Sequence, residues 1–141
     1  ISSTLIRKII QKGKVNEVKK LLGRPWSVEG EVIKGNQRGR LIGFPTCNIK
    51  LNTYTLPKIG VYSVQVKINN LKKKGIANIG YRPTFNGKVL LLEVNIFGLK
   101  KNLYKNILKI SFIKFIRAEK KFKSINQLKA QIKKDIINAK K

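Results

Sequence analysis

Hydrophobic positions change their spacing along the chain, and the changes divide it. Residues 1–24 have helical spacing and read as two short helices. Ser2, Ser3 or Thr4 can cap the first, and Gly13 stops it. Val18, Leu21 and Leu22 give the second an apolar side before Gly23 and Pro25 end it. From Ser27 the period becomes two. Val28 and Val32 are apolar beside Glu29 and Glu31, with Gly30 between. Over Val61–Ile68, Tyr62, Val64, Val66 and Ile68 face one way and Ser63, Gln65 and Lys67 the other. Asn69-Asn70 predicts a turn, and Gly75–Ile79 the return strand. In Val89–Phe97, Leu90, Leu92, Val94 and Ile96 share a face, opposite Leu91, Glu93, Asn95 and Phe97. Ile107–Ile116 is a further strand. Turns at short spacing predict a small antiparallel barrel or sandwich. The chain closes on a helix: Ser124 and Gln127 fit a capping box, and Ile125, Leu128, Ile132 and Ile136 recur on one side. That stripe is narrow and lacks aromatic anchors, so it predicts packing on the barrel over lying on a membrane.

Composition narrows the chemistry. The chain has 141 residues, of which 42% are hydrophobic, enough for one packed domain with an appendage. The net charge of +26 points to a polyanion partner or to the Lys-, Ile- and Asn-rich composition of an AT-rich coding sequence. Cys47 is the one cysteine and histidine is absent. An intramolecular disulfide, His/Cys zinc sites and Ser-His or Cys-His catalysis are therefore excluded for this chain. No signal peptide or long apolar run is evident, so a soluble, cytoplasmic protein is expected. No methionine is present, and Ile1 is expected to be an internal start. The lysine run Lys72–Lys74 reads as solvated charge.

The densest chemistry lies in Gly35–Asn48, GNQRGRLIGFPTCN. Glycines allow close backbone approach to a ligand, and successive free N–H groups can form an anion site. Arg38 and Arg40 can grip phosphate oxygens. After Pro45, an extended chain puts Thr46 and Asn48 on one side, where a hydroxyl and an amide oxygen suit Mg²⁺. The alternative is a glycine-rich turn before a polar strand.

A general base must come from six acidic residues. Glu17 and Asp135 sit on terminal helices, and Glu29 and Glu31 flank a glycine. Glu119 reads as an ion-pair partner in a basic segment. Glu93 is a lone carboxylate in a strongly hydrophobic strand. Burial would raise its pKa and suit it to proton abstraction; the alternative is a structural carboxylate paired with a lysine.

These residues resemble the riboflavin kinase family. GNQRGRLIGFPTCN is similar to its G-x-x-x-G-R-x-L-G-F-P-T-A-N signature. The likeness continues through Pro57–Tyr62, Ala77–Phe85, Glu93 with Phe97, Leu103-Tyr104, and Ile116–Glu119 with Phe122. It spans about 115 residues in order. Ile1–Arg7, ISSTLIR, resembles the last nucleotide-binding motif of the FAD synthetase module that precedes the kinase in bifunctional bacterial proteins. The resemblance implies a mainly β fold: a six-stranded antiparallel Greek-key barrel with a C-terminal helix and a short helical N-terminal remnant. Residues 1–26 would be the end of an FMN adenylyltransferase module and 27–141 the kinase domain. It implies ATP-dependent conversion of riboflavin to FMN, with ADP released. Gly35, Gly39 and Arg40 would cover the ATP phosphates. Thr46 and Asn48 would hold Mg²⁺ and phosphate oxygens, and Glu93 would be the base. Arg117, Lys120 and Phe122 would belong to the segment that closes over the flavin. Cys47 departs from the usual alanine, Asn95 from a frequent histidine, and Gly98, Asn102 and Lys105 from the usual turn residues. FAD synthesis is not expected from this chain alone, nor is a membrane or nucleic-acid partner. The competing reading is a basic RNA-binding barrel without catalysis. It is weakened by the scarcity of stacking aromatics among the basic residues.

Overall fold

The computed structural model describes residues 2–34, 43–51, 53 and 55–141. Helices α1 (Ser3–Gln11) and α2 (Val15–Leu22) lead into six strands. These are β1 (Ser27–Ile33), β2 (Cys47–Lys50), β3 (Gly60–Ile68), β4 (Leu71–Thr84), β5 (Gly87–Ile96) and β6 (Ile107–Arg117). Helix α3 (Ile125–Lys140) ends the chain. The strands close into an antiparallel barrel in the order β1-β2-β5-β4-β3-β6. Strand β6 returns to lie beside β3 after the β3-β4-β5 meander, which is a Greek key. Closure decides between barrel and sandwich and leaves no open sheet edge among the described strands.

Strand alternation places the core. Tyr62, Val64, Val66 and Ile68 point inward from β3, and Leu92, Val94 and Ile96 from β5, all buried. They meet Ile49, Ala77, Ile79, Leu108, Ile110 and Phe112. The Tyr62 ring stands edge-on to Phe112 and Phe115, with both centroids 5.2 Å away. Its hydroxyl donates to the Lys58 carbonyl, and burial raises its pKa.

Strand β4 is much longer than Gly75–Ile79. It takes in Lys72–Lys74, so the lysine run is strand, with Lys72 opposite Lys67 and Lys73 opposite Val66. The hairpin turn at Asn69, with φ 55°, starts the pairing at once, and backbone bonding outweighs the poor strand propensity of lysine.

The helices bind the barrel differently. Ser2 caps α1, its Oγ accepting from the Leu5 N–H at 3.1 Å, and Gly23 ends α2 in the left-handed region. Ile9, Ile10 and Val18 form a small apolar cluster that Trp26 joins to the barrel core, where Trp26 stacks 4.8 Å from Phe112. Ser124 caps α3 by accepting from the Gln127 N–H, while Gln127 accepts from the Lys123 N–H instead of the Ser124 N–H of a strict capping box. Helix α3 lies on β3, β4 and β6. Its apolar stripe contributes less than its spacing predicts. Leu128, Ile132 and Ile136 are half-buried and Ile125 is exposed, while Asp135 is the residue fully buried. Arg117 at the end of β6 supplies the partner that makes a carboxylate the better contact there. Among the described residues no helix is long and apolar enough to cross a membrane.

Candidate active site

A polar row crosses the outside of the barrel. Asn48 on β2 lies opposite Glu93 on β5, and Glu93 lies opposite Asn78 on β4. Asn78 faces Val61 on β3, which faces Arg117 on β6. Directly opposed residues project from the same face of a sheet. Their neighbours Ile49, Leu92, Val94, Ala77 and Ile79 point into the core. Asn48 is buried, and Asn78 Oδ1 is buried with no hydrogen-bond partner among the described residues.

Glu93 is on the outward side of β5, as its parity predicts. Its surroundings differ from the apolar pocket expected, because the outer face carries polar neighbours and the carboxylate is 28% exposed. Its partner is Arg82, two residues beyond Gly80 on β4, and no lysine. Arg82 Nε donates to Glu93 Oε1 at 2.8 Å. The other edge of the guanidinium reaches Glu119 Oε2, from Nη1 at 3.2 Å and Nη2 at 3.3 Å. Burial works against the Arg82 cation, but Glu93 and Glu119 more than offset it and raise its pKa above the ordinary arginine value.

Thr46 and Asn48 line a cleft of about 200 Å³ at one end of the barrel. Its walls are the end of β1, the start of β2 and the β5–β6 connection, including Lys34, Lys100, Lys101 and Tyr104. Among the described residues no carboxylate lines it. Asn95, on the Glu93 side of β5, donates from Nδ2 to the Pro45 carbonyl at 2.8 Å and so holds the approach to Thr46. Cys47 lies in the same wall, and burial raises its thiol pKa. Gly35, Gly39 and Arg40 lie outside the described residues.

The donor set fits Mg²⁺ only in company with phosphate. A hydroxyl and an amide oxygen are hard donors, yet they sit among lysines that repel a bare cation. No cluster of three or more His, Cys, Asp or Glu side chains suited to a metal occurs among the described residues.

Arg117, Lys120 and Phe122 are drawn together, but toward α3. Arg117 Nε and Nη2 grip the Asp135 carboxylate at 2.8 to 3.1 Å, and Gln131 Nε2 adds a bond at 3.0 Å. The Arg117 guanidinium lies 5.9 Å from the Phe122 ring centroid, and Lys120 Nζ donates to Gln131 Oε1 at 3.2 Å. Sequence reasoning assigned no role to Arg82, Asn78 or Asp135. Arg82 and Asn78 share the outward parity of β4, a signal available once β4 is known to extend through Thr84.

A closed barrel with a lysine-lined cleft at one end and the Glu93 carboxylate beside the cleft's Asn48 on the outer face defines a small β-barrel protein with a candidate site. The chain belongs to the riboflavin kinase family: the family model Flavokinase, described as riboflavin kinase, matches residues 22–141. It is 44% identical over 141 residues to a bifunctional riboflavin kinase/FMN adenylyltransferase of Haemophilus influenzae, covering 99% of this chain and 46% of that protein. It is 45% identical over 139 residues to the Bacillus subtilis protein of the same description, covering 96% and 44%. The chain thus spans a little under half the length of these curated relatives. A solved Streptococcus pneumoniae structure, described as a macrolide-efflux protein, is 41% identical with a TM-score of 0.92, over 99% of this chain and 46% of that one. The riboflavin kinase of Trypanosoma brucei shares the fold at a TM-score of 0.58 and 22% identity, over 83% of this chain and 78% of that one.

Proposed function

We propose that this chain transfers the γ-phosphoryl group of ATP to the ribityl 5′-hydroxyl of riboflavin, releasing FMN and ADP. The observation that carries the reading is the register that puts Asn48, on the wall of a lysine-lined cleft, directly beside Glu93. In this reading the cleft takes the triphosphate, Lys34, Lys100 and Lys101 offset its charge, and Gly35, Gly39 and Arg40 belong to the loop that covers the phosphates. Thr46 and Asn48 would hold Mg²⁺, which would supply neutralisation of the charge on the transferring group. Asn95 fixes the Pro45 carbonyl and so the direction of the Thr46 hydroxyl. The ribityl oxygen bonds to the γ-phosphorus, the bond to the β,γ-bridging oxygen breaks, and the hydroxyl proton passes to Glu93. Aligning and deprotonating that hydroxyl is worth about 10²–10⁴-fold. Arg117 and Lys120 act through the packing of the segment after β6 and Phe122 through its ring, and together they bound the flavin side.

Residues 1–26 form the end of an adenylyltransferase module and 27–141 the kinase domain. FAD is not a product of this chain alone, and a reaction that consumes ATP places the work in the cytoplasm. The names borne by the relatives support the kinase reading. The test is conversion of riboflavin to FMN by the purified chain with ATP, with and without Mg²⁺. Mg²⁺-dependent FMN formation that Glu93→Gln lowers by about 10²–10⁴-fold in a folded protein is expected. Turnover unchanged in Glu93→Gln would remove the base assignment. Salt-sensitive RNA binding without any FMN formation would favour the RNA-binding barrel.

A further inference from the structure

We propose that Arg82 is a positioning residue that couples Glu93 to the segment between β6 and α3. The inference rests on Glu93 being the group that takes the hydroxyl proton. One rigid guanidinium serves three partners: Glu93 Oε1 through Nε, Glu119 Oε2 through Nη1 and Nη2, and the Tyr81 carbonyl through Nη1 at 2.9 Å. Its planar fork cannot turn toward one carboxylate without turning away from the other. With Oε1 held by Nε, Oε2 is the Glu93 oxygen left to accept the substrate proton.

The floor beneath this contact is built for it. A Cβ on Gly80 would overlap both Glu119 carboxylate oxygens and Arg82 Nη1. The bare backbone at Gly80 lets an acid from beyond β6 reach across the sheet to an arginine of β4. Glu119 is also the segment's link to this face. Its other ties run to α3, Lys120 to Gln131 and the Lys123 N–H to Gln127, beside the bond from Arg117 at the end of β6 to Asp135. Among the described residues, Arg82–Glu119 is the side-chain tie from this segment to β4 and β5. The pair is about one-third exposed, so opening it costs little. The segment can lift to admit the flavin, and Arg82 carries its return to Glu93.

The experiment compares Arg82→Gln, Arg82→Lys, Glu119→Gln and the Arg82→Gln/Glu119→Gln double variant. Steady-state FMN formation is measured alongside riboflavin binding without ATP, read by flavin fluorescence. Glu119→Gln is expected to weaken riboflavin binding about fivefold with kcat held within about twofold, as loss of an ordinary pairwise coupling would do. Arg82→Gln is expected to weaken binding equally and also to lower kcat about tenfold. The double variant binds no more weakly than Arg82→Gln, and Arg82→Lys recovers part of kcat without the binding. Additive binding losses in the double variant would overturn the coupling, as would an Arg82→Gln enzyme with wild-type kcat and binding. Should Arg82→Gln fail to fold by circular dichroism, Gly80→Ala replaces it, since it displaces the pair while keeping both charges. It must reproduce the binding loss of Glu119→Gln, or the coupling fails. Glu93→Gln is run in parallel. If that variant keeps full turnover, the base reading and this inference fall together; if it is inactive while the binding losses add, only the coupling falls.

Discussion

Two arginines of the barrel each grip carboxylates brought from another element, and their settings differ in burial. Arg117 and Asp135 form a dry pair, with the side chains 15% and 1% exposed and a fourth hydrogen bond to the carboxylate from Gln131. Arg82, Glu93 and Glu119 form a wet network, each about one-third exposed. The same chemistry therefore does different work. Removing one partner of the dry pair strands a buried charge. Removing one partner of the wet network leaves a charge that water can serve. The dry pair holds α3 to the barrel, and the wet network leaves its members free to respond to a bound molecule.

The sharpest way to break this comparison is through rate. Glu93→Gln should lower kcat by about 10²–10⁴-fold while leaving the thermal midpoint almost unmoved. A large fall in stability in that variant would make Glu93 a structural residue. Next in size is Asp135→Asn, which leaves Arg117 without its counter-charge and should cost about 3–5 kcal/mol in urea unfolding. A loss below about 1 kcal/mol would show the pair to be dispensable and remove the contrast. Arg82→Gln should change stability by no more than about 1 kcal/mol, whatever its effect on turnover. The cleft offers the smallest effects. Calorimetric titration with Mg²⁺ alone should give no binding, and Mg²⁺ should bind once ADP is present. Lys100→Gln or Lys101→Gln should weaken ADP by less than about fivefold each, with the loss shrinking as salt is raised. Tight binding of the bare ion would contradict the lysine-lined reading of Thr46 and Asn48.

Much of this arrangement was legible before folding. The alternation in Val61–Ile68 and Val89–Phe97 separated the two faces of each strand correctly and put Glu93 opposite Leu92 and Val94, but the burial expected of Glu93 gave way to a partly exposed outer face. Three candidate caps, of which Ser2 serves, announced the first helix, and the Ser124 hydroxyl announced the last. Other features were hidden because they are not local. Asp135 read as one more polar residue of a lysine-rich helix, since nothing near it in the chain says that Arg117 will face it. Arg82 sat inside a segment whose likeness to the family was clear, yet no role followed from that likeness. The tie from Asn95 to the Pro45 carbonyl joins positions 50 residues apart.

By itself the sequence determined most of the elements, the two faces of β3 and β5 and the scarcity of candidate bases, because alternation, capping and composition act over a few residues. Tertiary structure decided which polar groups meet. Barrel closure and strand register set Asn48, Glu93 and Asn78 side by side, and the path after β6 brought Glu119 over Gly80 to Arg82. Those contacts depend on the positions of whole strands relative to one another, and a one-residue slip in register would turn each row to the opposite face.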